Sequence, residues 1–156
     1  MITTQYKRWK MSQAIEIVIK SHETIITLSS EQISMPIGDE NLNGYVPQHS
    51  PITPYEAEIA IEHIEDVIMP MVHQLPQHPF TAVCHDPRLR SLLIKHDSSN
   101  TISTEQLENK FHEVVNVING APIQSTNIPT DKNFILFLLI IREISHHWRL
   151  DHFVIS

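Results

Sequence analysis

Glycine is scarce in this chain, with only Gly38, Gly44 and Gly120 among 156 residues. Three scattered glycines cannot build the Gly-rich loops of a P-loop or a dinucleotide-binding turn, so both classes are excluded. A Gly-x-Ser-x-Gly elbow and a His-Glu-x-x-His motif are absent too. Cys84 is the single cysteine; no intramolecular disulfide can form, and a reducing, cytosolic location is expected. Aromatic residues make up 6% of the chain, without the interleaving with basic residues that single-stranded nucleic-acid platforms use. Cations are also few, 11 Lys and Arg against 18 Asp and Glu, and none lies between Lys20 and Arg88. Phosphate neutralisation needs clustered cations, so no nucleic-acid partner is expected. The longest apolar run, Phe134 to Ile141, is eight residues, against about 20 for a membrane-spanning helix. Basic Lys7, Arg8 and Lys10 precede an apolar stretch broken by Glu16 and Lys20, unlike a signal-peptide core.

What remains is an acidic chain of ordinary globular composition, 41% hydrophobic with a formal charge of −7. Residues 1–10 read as a basic extension, with Met11 an equally good start, and residues 11–156 as a single α+β domain. A chain of this length can bury roughly 70% of its unfolded surface and needs neither disulfide nor structural metal to fold. Histidine is abundant: eleven residues, whose protonation would carry the formal charge from −7 to +4.

Two β-branched runs, Ile15–Ile19 and Thr24–Leu28, predict an N-terminal hairpin. Residues 29–53 show no sustained period and predict a long Pro-containing loop, functional or wrapped over the core. Thr53-Pro54-Tyr55-Glu56 is a capping box with Pro at the first helical position. Ala57, Ala60, Ile61, Ile64, Val67, Ile68 and Met71 follow on one helical arc, which Pro70 should end. Phe80–Cys84 and Ser91–Lys95 predict a second short strand pair around the turn His85-Asp86-Pro87, with one turn of helix over Leu89 to Ile94 as the alternative. Ser103-Thr104-Glu105-Gln106 starts a helix that Asn119-Gly120 stops. A third helix begins near Asp131 and is apolar all round at its centre, and His152–Ile155 returns as a strand. The expected fold is an antiparallel sheet covered by about three helices. The apolar circumference of the third helix makes it either the central helix of the domain or a helix with one side packed on another subunit, and a homodimer is the preferred expectation.

The most informative polar feature is the acidic face of the first helix, where Glu58, Glu62, Glu65 and Asp66 sit at neighbouring spacings with no local cation. It suggests a solvated face, a surface for a basic partner, such as another protein or Arg88, Arg90, Arg142 and Arg149 of a second subunit, or a cation site. His63 lacks the paired Glu-x-x-His pattern of di-iron helices. The second feature is His146, His147, Asp151 and His152, four potential ligands for zinc or a related divalent metal. Adjacent histidines on a helix point about 100° apart, and His attracted to a helix C-terminus explains the same residues. Cys84-His85-Asp86 has the residue types of a nucleophile and its base, but neighbours on a strand face opposite ways. The leading reading is a non-enzymatic protein-binding or regulatory module, with no cofactor, presenting the acidic helix. The alternative is a small enzyme or ligand-binding domain with His63, Cys84, His85 or the 146–152 segment in a pocket under residues 29–53.

Overall fold

The computed structural model describes residues 14–93 and 98–156; the expected 1–10 extension, the alternative start at Met11 and the end of the Ser91–Lys95 strand lie outside them. In chain order the elements are β1 (Ala14–Ile19), β2 (Thr24–Leu28), β3 (Glu31–Met35), α1 (Pro54–Ile68), β4 (Thr81–Cys84), α2 (Pro87–Arg90), β5 (Thr101–Ser103), α3 (Thr104–Ile118), α4 (Lys132–His147) and β6 (His152–Ile155). A 3-10 turn, Pro70–Gln74, follows α1, and a second, Ile123–Ser125, precedes α4.

The six strands form one sheet in the order β3-β2-β1-β4-β6-β5. The hairpin forms as expected, with Ile17 opposite Ile26. The sheet, however, is mixed and not antiparallel: β1 pairs with β4 and β4 with β6 in parallel, while β2, β3 and β5 pair antiparallel with their neighbours. The reason is connectivity. The path from β1 to β4 passes through α1, and that from β4 to β6 through α3 and α4, so each strand re-enters the sheet in the same direction. Among the described residues four helices are present, not about three, because Asp86 caps a single helical turn, accepting from the Arg88 amide at 3.0 Å. Leu92 and Leu93 continue from that turn and are not in a strand.

Two strands carry no periodic signal in the sequence. β3 lies within the expected loop, where only Ile33 and Met35 face inward. β5 is three residues long, too short for a period. The two capping boxes form as expected, Thr53 with Glu56 and Ser103 with Gln106. Gly120 stops α3 with φ +109°, a left-handed conformation that costs glycine little.

Helix α4 is central. It packs on α1 and α3 and buries every residue from Phe134 to Ile141 within the chain. Its apolar circumference is therefore satisfied internally, and the ground for expecting a homodimer falls away. Arg88 and Arg142, expected to face a partner's acidic helix, are also engaged within the chain. Among the described residues no helix is long and apolar enough to cross a membrane.

Candidate functional site

The polar chemistry gathers at the two ends of the parallel strands. At the carboxyl end, β1 runs into the turn Lys20-Ser21-His22-Glu23, closed by the Lys20 amide donating to Glu23 O at 2.8 Å. Lys20, Ser21 and His22 are exposed, and His22 Nδ1 lies 2.9 Å from Ser21 Oγ. The turn is fixed from below by the segment after β3, where the Asp39 amide donates to Lys20 O at 3.0 Å and the Glu40 amide to Ser21 O at 2.8 Å. Gly38 makes this approach possible: a Cβ there would stand 2.4 Å from Ser21 C and 2.5 Å from His22 N, both backbone atoms. Glycine is needed here for space.

The end of β4 completes the edge. The His85 amide continues the ladder to Ile17 O at 3.1 Å, and its ring Nε2 lies 2.9 Å from Glu16 Oε1. Arg88 spans two carboxylates, 2.6 Å from Asp39 Oδ2 and 2.7 Å from Asp86 Oδ2, with its Nε 3.0 Å from Asp86 Oδ1. Its guanidinium carbon sits 4.2 Å above the Phe137 ring. Burial by itself would favour the neutral guanidine, but the hydrogen bonds to Asp86 and Asp39 outweigh it and hold Arg88 more firmly charged. Arg90 Nη2 reaches Asn100 Oδ1 at 3.0 Å on the far side of the same edge. Thus Lys20 and Arg88, which bound the cation-free stretch in sequence, are linked through Asp39, whose amide donates to Lys20 O and whose carboxylate accepts from Arg88.

Cys84 is wholly buried on the helix-covered face. Burial pushes its thiol up to about 12, with the Asp86 charge adding to the effect. A neutral, enclosed thiol is a core residue and not a nucleophile.

At the amino end of the parallel strands, α1 and α4 meet. His147 Nε2 lies 2.7 Å from Glu65 Oε2 and 3.5 Å from Glu143 Oε1. These three side chains can each offer one ligand atom, all within 4.8 Å of one another, so the described residues include a group able to hold a metal. Glu143 is 1% exposed; burial raises its pKa, Arg142 opposes that, and Glu65 adds to it. Arg142 donates to Glu143 Oε2 at 2.6 Å and grips Glu108 on α3 through Nε and Nη2 at 3.1 and 3.0 Å.

The residues singled out in the sequence scatter against this frame. Glu58, Glu62 and Asp66 are exposed on α1, whereas Glu65 turns inward to His147. His146 is exposed, edge-on to His147 with ring centroids 5.3 Å apart. Asp151 and His152 line a separate cavity of about 470 Å³ with His78, Thr81 and Arg149. Of the four expected ligands, only His147 joins the metal-capable group. His63 stacks on Tyr45 at 5.3 Å, His85 pairs with Glu16 and His147 with Glu65, so among the described residues these histidines each have a different partner. The sequence singles out neither Asp39 and Glu143 nor Ser21 and His22, which carry no local signal; Asp86-Pro87, a cap-plus-Pro pattern like that of α1, marks only the turn that carries Arg88.

No model of a protein family matches the sequence, and no curated protein matches it. Solved structures do. A Ppx/GppA family member from Aquifex aeolicus superposes with a TM-score of 0.65 at 15% identity, over 92% of this chain and 51% of that one. An exopolyphosphatase from Cytophaga hutchinsonii gives 0.62 at 13% identity, over 92% of this chain and 52% of that one. The chain has the fold of Ppx/GppA proteins. It spans about half the length of these structures. The likeness corrects the expectation of a non-enzymatic protein-binding or regulatory module, because the proteins that share the fold are named as phosphatases and exopolyphosphatases. The enzyme or ligand-binding alternative lies closer, although not through the histidine pocket that motivated it.

Proposed function

We infer that the chain forms one lobe of a phosphatase-like enzyme and that its carboxyl edge binds phosphoryl groups of a phosphoanhydride or phosphate ester. The observation that carries this reading is the convergence of Lys20, Ser21 and His22 with the Arg88 clamp outside the carboxyl ends of β1 and β4. That is where open α/β sheets bind their ligands. A phosphoryl group needs an array of donors, and the turn offers an ammonium, a hydroxyl and an imidazole.

The roles divide by what each group already does. Arg88 has its charge committed to Asp39 and Asp86, so it is a positioning residue that keeps the 38–40 segment under the turn. Lys20, exposed at the end of β1, is the cation that meets the ligand. The lone buried thiol supports a reducing compartment as the setting.

Isothermal titration of tripolyphosphate into the chain at low salt tests the reading. Saturable binding is expected, weakened roughly tenfold by Lys20→Ala, the loss of one charge-assisted contact. Lys110→Ala, at a cation paired with Glu113 on α3, should leave it unchanged. Absence of binding, or equal effects of the two variants, would contradict it.

A further inference from the structure

A different site lies at the other end of the sheet, and nothing in the phosphoryl reading uses it. Glu65 of α1 and Glu143 and His147 of α4 converge from two helices that are locked together by Trp148 Nε1 donating to Ile68 O at 2.9 Å. We propose that Glu65, Glu143 and His147 bind one divalent transition-metal ion of the zinc or manganese type, bridging the ends of α1 and α4.

Four observations support this. The first is geometry. Bonds of about 2.0–2.2 Å in a tetrahedral site place ligand atoms roughly 3.4 Å apart. His147 Nε2 and Glu143 Oε1 are already 3.5 Å apart, and Glu65 Oε2, at 2.7 Å from the imidazole, needs only to move outward by less than about 1 Å.

The second is the support behind the ligands. Arg142 holds Glu143 by Oε2, which leaves Oε1 turned towards His147, and Glu108 holds Arg142 in turn by two hydrogen bonds. Such outer partners fix the orientation of ligating carboxylates.

The third is charge. With its carboxylates ionised, the network Glu65, Glu143, Glu108 and Arg142 has three negative groups against one guanidinium. A divalent cation brings it to neutrality.

The fourth is access. Glu65 and His147 keep 34% and 23% side-chain exposure. His147 borders a cavity of about 490 Å³ shared with Leu75, His78, Trp148 and Arg149. Solvent or a small ligand can reach the remaining coordination position from there. One imidazole with two carboxylates suits zinc or manganese, whereas calcium and magnesium prefer an all-oxygen shell.

The test uses the full chain freed of metal by chelator and dialysis. Titration with Zn²⁺ should show one equivalent bound, and Glu65→Gln and His147→Gln should each weaken that binding at least tenfold. His152→Gln and Glu62→Gln, outside the group, should not change it. A second measurement needs no variant: substoichiometric Mn²⁺ should broaden the amide signals of Glu65, Glu143 and His147 before any others. Absence of stoichiometric Zn²⁺ binding, binding insensitive to both ligand variants, or broadening centred on Asp151 and His152 would overturn the proposal. None of these readouts involves a phosphate compound, so this proposal and the phosphoryl reading can fail separately.

Discussion

Replacing Arg88 by Met should destabilise the chain by about 2–3 kcal/mol. The residue makes three hydrogen bonds to Asp39 and Asp86, at 2.6, 2.7 and 3.0 Å. Side-chain exposures are 28% for Arg88, 15% for Asp39 and 8% for Asp86, which puts the triad between two regimes. Exposed ion pairs are worth about 0.2–1 kcal/mol, whereas stripping one partner from a buried pair costs about 3–5 kcal/mol, because the remaining charge is left uncompensated. Methionine preserves much of the packing over Phe137, so the loss reports the charge. For a chain of this size each kcal/mol shifts Tm by about 2–4 °C, giving a fall of roughly 5–10 °C. Urea denaturation followed by circular dichroism measures the difference. If the carboxylates left behind are the cause, adding Asp39→Asn and Asp86→Asn to Arg88→Met should recover more than half of it. A loss below about 0.5 kcal/mol, the level of an ordinary surface substitution, would refute the reasoning.

Three further outcomes follow from the same geometry. Burial acts to raise the Glu56 pKa, but the amides of Thr53 and Gln48 and the His49 ring outweigh it and hold it below its ordinary value. A carboxyl depressed in the folded state contributes stability above its unfolded pKa and loses it as pH falls through the folded value. Wild type minus Glu56→Gln stability should therefore be largest near neutrality and shrink below about pH 4; a difference flat from pH 7 to 3 would contradict this. Gly38→Ala drives a Cβ to 2.4 Å from Ser21 C and O, and overpacking against backbone should cost about 1–3 kcal/mol with amide shifts concentrated in residues 20–23 and 38–41. Cys84, buried and with its thiol near 12, should resist a thiol reagent at pH 8 in the native chain and react fully in denaturant; fast native modification would place it at a surface.

The sequence made helices more legible than the sheet. Thr53-Pro54-Glu56 and Ser103-Gln106 announce α1 and α3 because a cap is a local contract between residues three apart. The parallel pairing of β1, β4 and β6 has no local signature; it follows from helices placed between strands, and Thr81–Cys84 reads the same whichever neighbour it pairs with. β3 escaped because Glu31, Gln32 and Ser34 turn outward at the sheet edge and leave little apolar alternation. The apolar surface of α4 was visible, but not its cause, since a helix buried by its own chain and one buried by a partner have the same pattern. For the candidate sites, Lys20 stands out in the sequence only as a limit of the cation-free stretch, and Arg88 as its other limit and as a cation for a partner's acidic helix. Glu143 follows the apolar run beside Arg142 and carries no local signal, and its meeting with Glu65 depends on the packing of α1 against α4.

The carboxyl-edge phosphoryl site is tested most directly by titrating the isotopically labelled chain with tripolyphosphate and following its amide signals. The account predicts saturable shifts in residues 20–23, 38–40 and 85–90, with the remainder of the sheet unmoved. No shifts at millimolar ligand, or shifts confined to Thr81, Arg149 and His152 at the opposite end, would contradict it.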